Sequence, residues 1–224
     1  MFDCIIKLKE LGYVPDTILD IGAYHGHWTD TMKTIYNNAN YYLFEAIDYH
    51  ELKRFNTMDK VFNIVLSDSI KEVDWYQMKN TGDSMFREKT HFFNNCEIIK
   101  KTTIDLNTFV LNTLIFAKTI LTNILIKIDC QGAEIPILKG ASNILKNTDF
   151  IIMELPLFGQ YNEGVGTFQD HIIFMNSIGF IPYDIADKHY INNFNMQVDM
   201  IFININHHFN KIIAEQLLLN NLNN

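Results

Sequence analysis

Thr17-Ile18-Leu19-Asp20-Ile21-Gly22-Ala23-Tyr24-His25-Gly26-His27-Trp28 decides how the rest of this chain is read. Residues 18–21 form an apolar β-type run with one embedded acid, closed by glycines at positions 22 and 26. Trp28, Met32, Ile35 and Tyr36 follow at helical spacing. That pattern reads as a buried parallel strand, a tight turn and the N-terminus of a helix. Glycine lets backbone approach a ligand where a side chain would clash. Ligands in open α/β sheets sit in the crevice beyond the carboxyl ends of the strands.

Spacing narrows the ligand. Dinucleotide turns carry G-x-G-x-x-G, whereas this turn reads D-x-G-x-x-x-G, with tyrosine at position 24. The pattern argues against a pyrophosphate on the turn. It favours a ligand whose own charged group meets Asp20 and the open backbone amides. Tyr41-Tyr42-Leu43-Phe44-Glu45 reads as the second strand, ending in an acid 23 residues after Gly22. A carboxylate in that place accepts from ribose hydroxyls. Asp20 and Glu45 together point to an adenosine-bearing ligand without a diphosphate, and S-adenosylmethionine is the obvious candidate. Against this, glycine turns after apolar strands are common, and Asp20 alone serves equally as a helix cap or turn former.

A second informative stretch spans residues 123–141. Ile124-Leu125-Ile126-Lys127-Ile128-Asp129 is another buried strand, charged near its carboxyl end. Gly132 makes the turn, and Pro136 falls in the first turn of a helix, where its missing N–H costs little. Charge inside an apolar strand is expensive unless paired or used. An ion pair from Lys127 to Glu134 or Glu154 accounts for the lysine, while Asp129 stands at the strand tip facing the crevice. Residues 149–155 repeat the theme, with Glu154 at the strand end. Asp129 and Glu154 suit acid–base chemistry or a divalent cation held through oxygen.

Around these stretches, the pattern predicts a helix over residues 2–11 closed by Gly12 and another from Asp48 through Leu52 and Phe55. A third strand is expected over 61–66, ending at Ser67-Asp68-Ser69, where an adenine edge is met or the chain simply turns. Residues 71–78 alternate as a peripheral antiparallel strand. Residues 79–95 form a long polar loop, either a lid or substrate loop or a surface excursion with Phe92 and Phe93 buried. Residues 96–104 read as an edge strand, and Asp105 caps a helix through Phe109, Val110 and Leu114. A glycine-bearing loop covers 157–166, and an amphipathic helix follows from Phe168 to Ile178. Residues 180–185 and 198–203 form a closing antiparallel pair. His207-His208 reads as solvated surface, 211–219 as helix and 220–224 as a frayed tail. No repeat or linker divides the pattern, so a single domain over residues 1–224 is expected.

A chain of 224 residues, 48% hydrophobic and 13% aromatic, is ample for one globular core. A formal net charge of −8 disfavours non-specific nucleic-acid binding, which rests on Lys and Arg against phosphate. Cys4, Cys96 and Cys130 show neither C-x-x-C nor metal-ligand spacing, and Cys130 reads as a packing residue. The odd count points to a reducing, cytoplasmic setting. Residues 1–11 mix apolar and charged positions, unlike a signal peptide. No apolar run approaches the length of a membrane span.

Taken together, these stretches resemble the FkbM-type methyltransferases, a class I family that uses S-adenosylmethionine and acts mostly on hydroxyl oxygen. The resemblance covers roughly residues 8–204. It is carried by Ile18-Leu19-Asp20-Ile21-Gly22-Ala23, Phe44-Glu45-Ala46 and Leu66-Ser67-Asp68. Above all it rests on Lys127-Ile128-Asp129-Cys130-Gln131-Gly132-Ala133-Glu134, with Leu138-Lys139-Gly140-Ala141 after it. The implied fold is α/β and Rossmann-like, the class I methyltransferase fold. It has a mostly parallel twisted sheet, an antiparallel closing strand and helices on both faces.

The resemblance also implies roles. Asp20, Gly22, Ala23, Tyr24 and Gly26 would hold the amino-acid end of S-adenosylmethionine, Glu45 and Ala46 the ribose, and Ser67 and Asp68 the adenine. Asp129 would lie at the methyl-transfer centre, as general base or, with Glu154, as ligand of a magnesium or manganese ion. Tyr24 stands where many members carry Asn, and Gln131 where many carry Glu. The implied activity is methyl transfer to a hydroxyl of a small molecule, a sugar or glycan precursor first among candidates. Phe86, Phe158 and Tyr161 either stack on a sugar face or belong to the core. Two other readings stand beside this one. One is a non-catalytic S-adenosylmethionine- or adenosine-binding domain in a glycan-assembly system. The other is an NAD-dependent dehydrogenase, weakened by the glycine spacing.

Overall fold

The computed structural model describes residues 1–55, 60–113, 121–157 and 161–222. The apolar runs become strands β1 (Thr17–Ile21), β2 (Asn40–Glu45), β3 (Lys60–Asn63), β4 (Val65–Ser67) and β5 (Glu72–Gln77). After them come β6 (Glu97–Asp105), β7 (Ile124–Ile128), β8 (Thr148–Pro156), β9 (Phe180–Ile191) and β10 (Phe194–Asn204). The helices are α1 (Phe2–Glu10), α2 (His27–Ile35), α3 (Leu106–Asn112), α4 (Glu134–Lys139), α5 (Ser142–Leu145), α6 (Phe168–Ser177) and α7 (Phe209–Leu222).

Seven strands form one sheet in the order β3-β2-β1-β7-β8-β10-β9. Neighbours from β3 to β8 pair in parallel, and β10 runs antiparallel to both β8 and β9. Parallel strands covered on both faces need apolar side chains throughout, and β1 and β7 are buried at every position. Alternate residues then feed opposite faces. Leu19, Ile21, Ile126, Ile128 and Met153 join a core with α4, α5 and α6, while Ile18, Leu125, Phe150 and Ile152 join a second core with α1, α2 and α7. This is the class I methyltransferase fold, with the antiparallel closing strand that the sequence implied. The order reverses between β1 and β7, which places the crevice at their carboxyl ends.

Several local expectations change. The strand expected over 61–66 breaks at Ile64, whose N–H donates to Glu45 O at 3.1 Å. Past that point β2 has ended, so β4 leaves the sheet and pairs in parallel with β6. β4, β6 and β5 form a separate sheet with β6 in the middle, so residues 96–104 are not an edge. In place of a helix starting at Asp48, a 3-10 helix covers His50–Phe55. Asp105 does cap α3, accepting from Thr108 N at 2.8 Å. That helix ends at Asn112, and Leu114 lies outside the described residues. The closing strands extend to a hairpin whose tip, Asn192-Asn193, has φ of 49° and 67°, as a two-residue turn requires. α7 runs to Leu222, so the expected tail is helical that far, and residues 223–224 lie outside the described residues.

His207 is not simply solvated. Its ring packs on Phe209 and Phe150, with centroids at 4.7 and 5.1 Å, and burial pushes its pKa down to about 4. His208 is exposed, as expected. Of the two phenylalanines in the long loop, Phe93 is buried and Phe92 exposed.

The loop over 79–95 is tied down. The Ser84 hydroxyl, 1% exposed, donates to Gln131 O at 2.9 Å and accepts from Phe86 N at 3.0 Å. Lys89 N donates to Tyr161 O at 2.7 Å and Glu163 N to Arg87 O at 2.8 Å, joining this loop to the one after β8. Losing a buried hydroxyl that serves two backbone groups costs about 1–3 kcal/mol. Ser84→Ala is therefore expected to lower the unfolding free energy by that amount, read as a lower urea midpoint, and to expose the chain near Lys89 to trypsin. An unchanged midpoint and digestion pattern would show that the loop is held elsewhere.

Candidate functional site

The site begins where two turns touch. Gly22 has φ +77°, and a Cβ built on it would lie 2.0 Å from Asp129 O. Any side chain there meets both a strained backbone and the turn after β7. Asp129 N donates to Ile21 O at 3.1 Å, closing the contact.

Beneath these turns lies Lys127, 8% exposed. It stands beside Asp20 in the β1–β7 register. Its ammonium donates to Gly22 O at 2.8 Å and sits 3.6 Å from both Asp20 Oδ1 and Asp129 Oδ2. Burial alone would lower its pKa, but Asp129 and Asp20 outweigh burial and hold it above the usual lysine range. Lys127 therefore pairs with Asp20 and Asp129 rather than with Glu134 or Glu154 as the sequence led us to expect. Asp20 is fully buried, and its other oxygen accepts from Thr29 Oγ1 at 2.6 Å. Burial raises its pKa, against the opposing pull of Lys127 and Thr29. Asp20 thus lies under the turn and does not reach the crevice.

Glu45 ends β2 at the crevice wall. Its Oε2 accepts from Tyr24 N at 2.7 Å and its Oε1 from Ile47 N at 2.9 Å. Burial raises its pKa, and these two amides oppose the rise. Tyr24 reaches this position at φ +48°, a left-handed conformation that asparagine adopts more easily than tyrosine. Its ring stacks on His25 at 3.9 Å.

Gly22, Tyr24, Glu45, Ala46 and Asp129 line one cavity, which opens onto about 710 Å³ of empty space with its solvent mouth included. The far wall is apolar, with Leu66, Trp75, Met85 and Ile137. Ser67 and Asp68 do not reach this cavity. Ser67 is buried with its hydroxyl donating to Asp68 Oδ1 at 3.2 Å, and Asp68 is exposed, bonded to Lys71 Nζ at 2.6 Å, which holds its carboxyl below the usual range. Ala23 is buried in the second core, and Gly26 starts α2 beneath Phe55. Sequence reasoning missed Trp75 and Met85. Their signal was an aromatic before the long loop and a thioether within it, which only the second sheet brings back to β2.

Asp129 and Glu154 lie one residue beyond the paired positions Ile128 and Met153. Gln131 comes between them: its Nε2 donates to Asp129 Oδ1 at 3.0 Å and to Glu154 Oε2 at 3.3 Å. An amide thus occupies the position where a cation shared by this pair would sit. The expected Asp129–Glu154 metal pair is thus spanned by an amide donor. Burial, with Asp129, Asp199 and Glu134 nearby, pushes the Glu154 carboxyl up to about 8. Burial also raises Glu134 to about 7, and the Cys130 thiol well above its ordinary value. Cys130 is thus a protonated wall residue, as its position suggested.

A second, smaller pocket adjoins the first through Gln131 and is lined by Glu154, Tyr161 and Gln197. The Tyr161 hydroxyl is buried there without a hydrogen-bond partner. Phe86 packs against the first core, and Phe158 lies outside the described residues.

Residues 20–182 match the methyltransferase FkbM domain family. This chain belongs to the FkbM methyltransferase family. Comparison with curated proteins finds no match. Among solved structures, the chain is similar to the FkbM methyltransferase of Methylobacillus flagellatus KT at 12% identity and TM-score 0.49, over 83% of this chain and 43% of that one. It therefore spans less than half the length of that relative. It is similar to the 1,6-didemethyltoxoflavin-N1-methyltransferase of Burkholderia thailandensis at 10% identity and TM-score 0.49, over 90% and 75% of the two chains. A third likeness is to the magnesium protoporphyrin IX methyltransferase of Synechocystis PCC 6803, at 6% identity and TM-score 0.47, over 90% and 76%.

In this FkbM-family chain, Lys127 neutralises two carboxylates that no other described ammonium or guanidinium approaches within 4 Å. Lys127→Met keeps the side-chain length and strands both acids. Breaking a buried pair in this way costs about 3–5 kcal/mol. Chemical denaturation should read that loss, and adding Asp20→Asn should restore part of it. If Lys127→Met is neutral and the double variant is merely additive, the network does not hold the turns together.

Proposed function

We propose that the chain is an S-adenosylmethionine-dependent O-methyltransferase acting on a hydroxyl of a small molecule, with sugars and glycan precursors as the first acceptors to try. The observation that carries this reading is the Glu45 carboxylate. Two backbone amides fix it on the wall of the large cavity, next to the Gly22 turn. Each oxygen keeps a lone pair for a vicinal diol such as ribose. In this reading the adenine lies against Leu66 and Trp75, and Ala46 borders the ribose. The Gly22–Tyr24 backbone and Asp129 meet the amino-acid end. Asp20 acts through Lys127 as a positioning residue, and Gly26 sets the start of α2.

Methyl transfer is an in-line displacement. An acceptor oxygen forms the new bond to the methyl carbon while the carbon–sulfur bond breaks, leaving its electron pair on sulfur. Most of the acceleration comes from holding the oxygen close and aligned. The hydroxyl proton needs a base, and such a base contributes about 10²–10⁴-fold. Asp129 fits that task, with one oxygen steadied by Gln131 and the other facing Lys127. The acceptor's place in this reading is the smaller pocket beyond Gln131, where Glu154, pushed up to about 8 by burial, lines the wall. No helix among the described residues is long and apolar enough to cross a membrane.

Calorimetric titration with S-adenosylmethionine and, in parallel, NAD tests the cofactor. Micromolar binding of the first and none of the second is expected, and a preference for NAD would overturn the reading. With a hydroxyl-acceptor panel and saturating S-adenosylmethionine, release of S-adenosylhomocysteine should fall at least ~100-fold in Asp129→Asn. Undiminished turnover in that variant would remove Asp129 as the base.

A further inference from the structure

Beyond Glu154, away from the Asp129 turn, adjacent strands gather three metal-ligating side chains. Glu154 on β8 lies directly opposite Asp199 on β10, and His189 on β9 pairs with Gln197, two residues before Asp199. One ligand atom from each of the three lies within 4.8 Å of the others. His189 Nε2 and Asp199 Oδ2 are 2.9 Å apart. Two ligands bound side by side on an octahedral ion at ~2.1 Å sit ~3.0 Å apart, and two bound opposite each other ~4.2 Å. His189 and Asp199 hold that separation as an ion pair, whose shared proton an incoming cation replaces.

The surroundings are those of a prepared ligand set. Gln131 and Gln197 both donate to Glu154 Oε2, at 3.3 and 2.8 Å. Such outer partners orient a ligating carboxylate. Among the described residues, nothing donates to Glu154 Oε1 or to the second oxygen of Asp199, a residue only 6% exposed. Lys127, the buried ammonium nearby, is engaged by Asp20 and Asp129. The side chain of His189 is 44% exposed, which leaves an approach from solvent.

We propose that Glu154, Asp199 and His189 form a binding site for one divalent transition ion. A nitrogen donor beside two carboxylates suits manganese, iron or zinc, whereas calcium and magnesium favour all-oxygen sets. Glu154 also lines the smaller pocket with Tyr161 and Gln197. An ion held there borders the space assigned to the acceptor and supplies a Lewis acid to a hydroxyl or carboxylate entering it. The site differs from the Asp129–Glu154 pair, which Gln131 spans, and it does not depend on the identity of the methyl donor.

The test is binding of Mn²⁺ to the full, tag-free chain, read as loss of the free-ion EPR signal and by calorimetry. One ion per chain at micromolar affinity is expected. His189→Gln and Asp199→Asn should each weaken binding at least ~30-fold with circular dichroism unchanged, while Asp129→Asn stays within about twofold. His189→Ala repeats the measurement if the glutamine variant fails to fold. Absence of binding at millimolar Mn²⁺, or binding that survives loss of His189 and fails with loss of Asp129, overturns the proposal.

Discussion

A buried ammonium holds the two turns of this protein in place. Lys127 donates to Gly22 O and lies equally far from Asp20 and Asp129. Two acids and a lysine inside an otherwise apolar parallel sheet are costly to desolvate. The arrangement persists because each charge meets an opposite one and the remaining oxygens meet Thr29 and Gln131. Its consequence is geometric. The β1 and β7 turns are drawn so close that a side chain at Gly22 would overlap Asp129 O.

From that junction the site divides by polarity. On the β2 side a single carboxylate, Glu45, is fixed by backbone amides against an apolar wall. On the β8 side Glu154, Asp199 and Glu134 crowd together, and Gln131 stands at the border with one amide group on both Asp129 and Glu154. An adenosine has one diol and one flat apolar face, which matches the first side. A polar acceptor, brought beside carboxylates of different proton affinity, matches the second.

The sequence made the sheet legible because parallel strands need continuous apolar runs, and β1, β2, β7 and β8 show them. Asp129 and Glu45 were legible as acids ending such runs. Asp20 looked the same in sequence but lies one residue earlier than the strand end, so it points into the sheet and meets Lys127. The break at Ile64 was not legible, because it depends on where β2 ends, a tertiary fact absent from the local pattern. The partners of Lys127 were invisible for a similar reason. Register between β1 and β7 sets them, and 107 residues separate Asp20 from Lys127. His189, Asp199 and Gln197 left only a faint mark, polar residues in phase within the closing strands. Their meaning appears when β10 inserts beside β8.

The most direct test of the account is a crystal structure of the chain with S-adenosylhomocysteine. The ribose hydroxyls should bond to Glu45, the adenine should lie against Leu66 and Trp75, and the sulfur should point toward Asp129. Density for the ligand outside this cavity, or a ribose that leaves Glu45 bonded only to Tyr24 and Ile47, would contradict the assignment on which the function rests.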